Sequence, residues 1–248
     1  VALSRLQASA ALIATVGDDH YGNLFLQDLE ESGVSSRYLL IRPGGTTVHN
    51  FITVTSSGAK AIFSNLGDSL LSLTEEEVSP DMLSGAKVFH SSGITPALSL
   101  TARDAFLEAL AKAKEHGAKV SIDLNYRAKL WSEADAQECM TEAMGFTDIL
   151  ITTEEDTMRV FKIQGKDYKE VARKLADRFG VEIVLITLRE NISVWRNNWT
   201  AIVLHRGEIL KTATYDVEIV DRVGGGDSCT AGFLWGYLQD DVQKGLDW

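Results

Sequence analysis

A chain of 248 residues, 45% hydrophobic and 24% charged, has the length for one sizeable core with a small appendage. Its 24 Lys and Arg stand against 35 Asp and Glu, and the resulting net charge of -11 argues against nucleic acid or an anionic membrane as partner. A small anionic substrate remains compatible with that charge, but only in a local cationic pocket. Cys139 and Cys229 lie far apart without metal-ligand spacing and read as ordinary reduced thiols. No apolar run approaches the length of a membrane span, and Val1 to Ala11 lacks the regions of a signal peptide, so the expected location is the cytosol.

In chain order, short β-rich runs alternate with helical patterns, the mark of an α/β protein with a largely parallel sheet. The strands expected are Ala11 to Val16, Lys87 to His90, Lys119 to Asp123, Asp148 to Thr152 and Glu182 to Thr187. Helices are expected at Gly22 to Ser32, from a cap at Thr101 to Gly117, and at Ser132 to Met144, Glu154 to Phe161, Asp167 to Phe179 and Ser228 to Gln239. Arg37 to Phe63 breaks the alternation. Its strand-like runs (Tyr38 to Arg42, Thr47 to Thr55, Lys60 to Phe63) are separated by Pro43-Gly44-Gly45 and Ser56-Ser57-Gly58 with no helix between them, which reads as an antiparallel excursion. It is either a lid over a cleft or a plain surface hairpin. Val1 to Leu6 already carries a helical pattern and Gly236 to Trp248 stops just after a helix, so both ends read as cut.

The most informative stretch for chemistry runs from Val217 to Phe233. A strand-like run ends at Asp221, then Gly224, Gly225 and Gly226 precede Asp227 and an apolar-periodic helix. Glycines let backbone N–H groups converge where Cβ atoms would block them, and a helix N-terminus adds partial positive charge, so an anion is attracted there. A carboxylate at the same place can take a proton from the acceptor of a phosphoryl group. The structural alternative is a flexible turn with Asp227 as an ordinary helix cap. No G-x-x-x-x-G-K-[ST] occurs, nor a G-x-G-x-x-G with an acidic ribose partner, which sets aside P-loop and simple dinucleotide-binding proteins. A second constellation, Ser121 to Trp131, ends a buried strand in Asp123, Asn125 and Arg127. In doubly wound sheets ligands sit at strand carboxyl ends, so these side chains would face the cleft. Arg127 would grip phosphate or carboxylate, or else pair with Asp123. Leu185 to Asn191 and Ile149 to Asp156 repeat the strand-then-polar pattern.

Asp221 to Asp227 resembles the D-T-x-G-A-G-D motif of the ribokinase-like (PfkB) carbohydrate kinases, and Arg222 for Thr with Gly225 for Ala resembles the form found in 2-keto-3-deoxygluconate kinases. Asp123 to Arg127 with Leu130-Trp131, His90 to Ile94, and Asn198-Trp199 point the same way. The resemblance implies a ribokinase-like three-layer αβα sandwich: a main domain at 1–36 and 64–248, incomplete at both ends, and a β-lid at 37–63 that often forms a homodimer interface. It implies Asp227 as catalytic base, Gly224, Gly225 and Gly226 as anion hole, and Asp221, Asn65, Asn125 and Arg127 toward the substrate. It also implies ATP contacts at Asn125, Arg127, Thr153, Thr187, Arg189 and Asn191, and Mg²⁺ held indirectly, through water, by Asp156. Thr153 to Asp156 stands where the family usually has N-x-x-E, and Phe63-Ser64-Asn65 where a Tyr-x-Arg element would hold a substrate carboxylate. The activity implied is ATP-dependent phosphorylation of a sugar-acid hydroxyl, with 2-keto-3-deoxygluconate foremost. A kinase for a neutral sugar such as ribose or fructose, or a non-catalytic binding homologue, are the alternatives.

Overall fold

The computed structural model describes residues 1–55, 60–65, 67–220 and 223–247. They fall into two compact units, Val1–Thr74 and Glu75–Trp248.

The first unit holds α1 (Ala2–Arg5), β1 (Ala11–Gly17), α2 (His20–Glu31), β2 (Ser35–Arg42), β3 (His49–Val54) and β4 (Lys60–Asn65). Asp19 caps α2 by accepting from the Gly22 N–H at 2.8 Å. The run at Tyr38 to Arg42 is not part of an antiparallel excursion: β2 pairs parallel with β1, Ala14 opposite Leu39 and Val16 opposite Ile41. A twelve-residue helix separates the two strands, and a crossover of that kind returns the chain parallel. The other two runs do form an antiparallel pair. One face of that ribbon carries His49, Phe51 and Thr53 opposite Asn65, Phe63 and Ala61. Phe51, Val54, Ile62 and Phe63 are each more than half exposed, and a two-stranded ribbon is marginal without further cover.

The second unit is built on β5 (Val88–Ser92), α3 (Leu100–Glu115), β6 (Lys119–Asp123), α4 (Glu133–Met144), β7 (Ile149–Thr152), α5 (Glu154–Phe161), α6 (Tyr168–Phe179), β8 (Ile183–Asn191), β9 (Arg196–His205), β10 (Glu208–Lys211), β11 (Tyr215–Glu218), α7 (Gly225–Leu238) and α8 (Val242–Leu246). Its sheet runs β10-β9-β8-β7-β6-β5, with β11 also on β9. β5 to β8 are parallel, and β9, β10 and β11 close the far side antiparallel. Val120 and Ile122, Ile149 to Ile151 and Ile183 to Ile186 are buried on both faces, as strands sandwiched between helical layers must be. The core is completed from α3 by Phe106 and Leu110 and from α7 by Phe233 and Leu234. α3 begins earlier than its pattern suggests. Ser99, in extended conformation, accepts from the Ala102 N–H at 3.1 Å, and Thr101 already lies in the first turn. α7 and α8 meet glycine to glycine: a Cβ on Gly236 would stand 2.3 Å from the Gly245 Cα. Among the described residues no helix is long and apolar enough to cross a membrane.

Candidate active site

Residues directly opposite one another in a ladder share a face. His90 and Ser92 lie opposite Ser121 and Asp123, and that face continues through Ile151 and Leu185 to Thr187, Arg189 and Asn191. On this face His90 and Ser121 lie mid-strand, while Ser92, Asp123 and the run Thr187 to Asn191 lie toward the carboxyl ends of their strands. A polar rim therefore forms at the carboxyl edge of the sheet, where ligands of open α/β sheets bind.

The crossover out of β6 is fixed by its backbone. The Gly93 N–H donates to the Asp123 carbonyl at 2.9 Å, and the Leu124 N–H to the Ile151 carbonyl at 2.9 Å. A Cβ on Gly93 would stand 2.2 Å from the Leu124 oxygen, so only glycine permits this approach. Asn125 follows with φ 35°, and its Nδ2 donates to Ser92 Oγ at 3.2 Å. Arg127 is exposed and makes no ion pair with Asp123 among the described residues, but its charge lowers the pKa of both Asp123 and Asp156. The closed Arg127–Asp123 pair is therefore not formed.

Thr153 caps α5, accepting from the Asp156 N–H at 3.1 Å. The Thr153 hydroxyl and the Tyr126 N–H, near the Asp156 carboxyl, act to lower its pKa. Burial still raises the pKa of Asp156. Asp123 is pushed up to about 7, first by desolvation, then by Asp156 and Asp227, against the Asn125 N–H and Arg127. Cys229 is pushed up to about 11, by burial and by Asp123. His90, its Nδ1 3.0 Å from Ser121 Oγ, is pulled down by desolvation and up by Asp227; its ring keeps solvent contact, so the desolvation is partial.

The glycine turn differs from a simple capped helix. Gly224, at φ 81°, occupies the cap position without a side-chain bond, and α7 starts at Gly225, three residues earlier than Ser228. Asp227 therefore stands inside the first turn and does not cap it. Among the described residues, a Cβ at Gly225 or Gly226 would meet no atom beyond its own helix backbone within 4 Å, so the chain's packing does not itself demand glycine there. Asp227 is exposed there, close enough to His90 and Asp123 to shift both.

Asn125, Arg127, Thr153, Asp156 and Asp227 thus gather at one rim, together with Asp123, Ser92 and His90. The strand expected to end at Thr187 continues as β8 to Asn191, because β9 pairs along its whole length. Asn65 lies on β4 of the first unit, its Oδ1 accepting from the Gly67 N–H at 3.0 Å. Asp221 lies outside the described residues. Among the described residues no group of three or more His, Cys, Asp or Glu could hold a metal directly. The desolvated Asp123 and Asp156 with exposed Asp227 do fit a cation held through water and phosphate.

Because the fold favours a neutral Asp123, that carboxyl's contribution to stability is full below its ordinary pKa of 3.8 and is lost as pH rises through about 7. Asp123→Asn does not titrate. The expected result is a variant that gains melting temperature over the wild type between about pH 6 and 8 and gains none near pH 4, read by thermal denaturation without ligand.

A strand-end rim of carboxylates beside a glycine-opened helix N-terminus defines a phosphoryl-transfer class of site. The family model "pfkB family carbohydrate kinase" matches residues 1–247. The chain is 30% identical over 238 residues to the 2-dehydro-3-deoxygalactonokinase of Haloferax volcanii, covering 94% of this chain and 71% of that protein. It is 32% identical over 239 residues to the probable chloroplastic fructokinase-6 of Arabidopsis thaliana, covering 94% and 59%. The crystal structure of 2-dehydro-3-deoxygluconokinase from Thermotoga maritima superposes with a TM-score of 0.93 at 32% identity, over 99% of this chain and 77% of that one. The chain belongs to the pfkB family of carbohydrate kinases.

Proposed function

We propose that the protein transfers the γ-phosphoryl group of ATP to a hydroxyl of a 2-keto-3-deoxy sugar acid. The observation that carries this reading is the exposed Asp227 carboxylate in the first turn of α7, beside the backbone of glycines that bear no side chain and with no side-chain bond from the cap residue Gly224. Asp227 accepts the proton of the acceptor hydroxyl as that oxygen bonds to phosphorus and the bond to the ADP oxygen breaks. The N–H groups of Gly225, Gly226 and Asp227 receive the charge on the transferring group. Mg²⁺, when bound with ATP, offsets the phosphate charge, and Asp156 holds it through water. Asn125, fixed by Ser92, and Arg127 position the anionic groups. The ribbon of β3 and β4 exposes Phe51, Ile62 and Phe63, which suit pairing with a second copy of the chain. Sedimentation of a Phe63→Ser variant as monomer against a wild-type dimer would support that pairing.

Asn65 in place of an arginine favours a neutral sugar as the second reading. Arg127→Lys separates the two, since it keeps the charge and loses the planar fork. A rise confined to KM for a sugar acid places Arg127 on the carboxylate, a fall in kcat places it on the phosphoryl group, and wild-type kinetics removes it from the site. The broader test is ADP release against 2-keto-3-deoxygluconate, 2-keto-3-deoxygalactonate, ribose and fructose, with and without chelator. Highest kcat/KM on a keto-deoxy acid, abolished by chelation, is expected; turnover of ribose or fructose alone would replace this substrate class.

A further inference from the structure

We propose that Ser92 is a positioning residue for phosphoryl transfer: its hydroxyl holds the Asn125 amide and so decides which end of that amide meets the ligand. The inference rests on the kinase reading above and adds to it a residue that acts through another.

Ser92 ends β5, and its Oγ accepts from the Ile94 N–H at 3.3 Å and from Asn125 Nδ2 at 3.2 Å. A hydroxyl oxygen has two acceptor positions, so both are filled and only the proton is left to donate. The Ile94 bond pins the hydroxyl from its own stretch of chain, while Asn125 reaches it from beyond the end of β6. The spacing of the two segments is locked as well. Ser92 stands opposite Asp123 in the ladder, and the Gly93 N–H donates to the Asp123 carbonyl at 2.9 Å. Ser92 is therefore a fixed post on one strand to which a side chain from the next is tied.

Asn125 is a residue that needs such a tie. Its φ of 35° lies in the left-handed region, where few residues other than glycine settle and where local strain gathers at functional sites. The last torsion of an asparagine is broad and roughly two-fold, so packing alone sets the amide poorly. Among the described residues its side chain makes no hydrogen bond other than the one to Ser92. With Nδ2 held on the β5 side, the amide keeps one N–H and its oxygen in fixed places, a donor for an anionic oxygen and an acceptor for a hydroxyl. Without the Ser92 hydroxyl the amide turns over freely, and its oxygen then meets phosphate as a repelling group.

The test is ADP release by the whole chain with Mg²⁺ and the acceptor it turns over best, for wild type, Ser92→Ala, Ser92→Thr, Asn125→Ala and the double variant. Loss of one neutral hydrogen bond costs a few-fold and a misplaced group at the site roughly 10²-fold, so Ser92→Ala is expected to lower kcat by roughly 5- to 100-fold with little change in KM for the acceptor. Ser92→Thr, which keeps the hydroxyl, should retain most of the activity. In the Asn125→Ala background the same Ser92→Ala change should cost less than about twofold, because the group it positions is gone. A merely structural serine would lower activity alike in both backgrounds. Wild-type kcat in Ser92→Ala, an equal loss with and without Asn125, or a Ser92→Thr enzyme as slow as Ser92→Ala while melting like wild type overturns the proposal and leaves the kinase reading standing. A wild-type chain that releases no ADP with any acceptor overturns both.

Discussion

Asp227→Asn is expected to lower kcat by roughly 10²- to 10⁴-fold at saturating acceptor, the usual value of a general base. Asparagine keeps the size of the side chain and cannot take up a proton near neutral pH. Because Gly224 holds the cap position of α7 and Asp227 is exposed in the first turn, the substitution removes no cap bond. Melting temperature and ADP affinity should stay near wild type. Steady-state kinetics beside a thermal melt checks this. Activity within threefold or so of wild type would remove Asp227 from the chemistry.

Gly226→Ala should separate stability from activity in the opposite sense. Gly226 is the second residue of α7, and among the described residues a Cβ there meets no atom beyond its own helix backbone within 4 Å. Alanine favours a helix over glycine by up to about 1 kcal/mol, so the variant should melt at or above the wild-type temperature. The same methyl group enters the space over the N–H groups, where the phosphoryl group must come close. Loss of one such donor costs roughly 10²- to 10³-fold in kcat, and a loss of that order is expected here. A fully active Gly226→Ala enzyme would mean that no anion approaches this turn.

The parallel strands and most helices were legible because their signals are local. The strand Lys119 to Asp123 is bounded in the structure as its apolar run suggests, and so is the helix Glu154 to Phe161. What the sequence hid depends on partners. β9, for which no strand was expected, opens with the polar Arg196, Asn197 and Asn198, but Arg196 bonds Asp216 across to β11 and Asn198 donates to Glu190 on β8 at 2.9 Å. Tyr38 to Arg42 carries no mark of whether its neighbour runs parallel, which only the intervening helix decides. The start of α7 was misplaced because three glycines lack helical propensity, although Gly224 can take the left-handed conformation that turns the chain into the helix.

The candidate site divides the same way. Asn125, Arg127, Asp156 and Asp227 stood out as polar residues after apolar strands. His90 and Ser92 entered only through the resemblance of the run His90 to Ile94, since their bonds to Ser121 and Asn125 cross to another segment of the chain.

The most direct measurement follows the labelled γ-phosphoryl group of ATP in the presence of Mg²⁺ and 2-keto-3-deoxygluconate or its galacto epimer. The expected result is label in a phosphorylated sugar acid, with none formed by Asp227→Asn. Label found only in inorganic phosphate, or only in a phosphorylated neutral sugar, would contradict a sugar-acid kinase with Asp227 as its base.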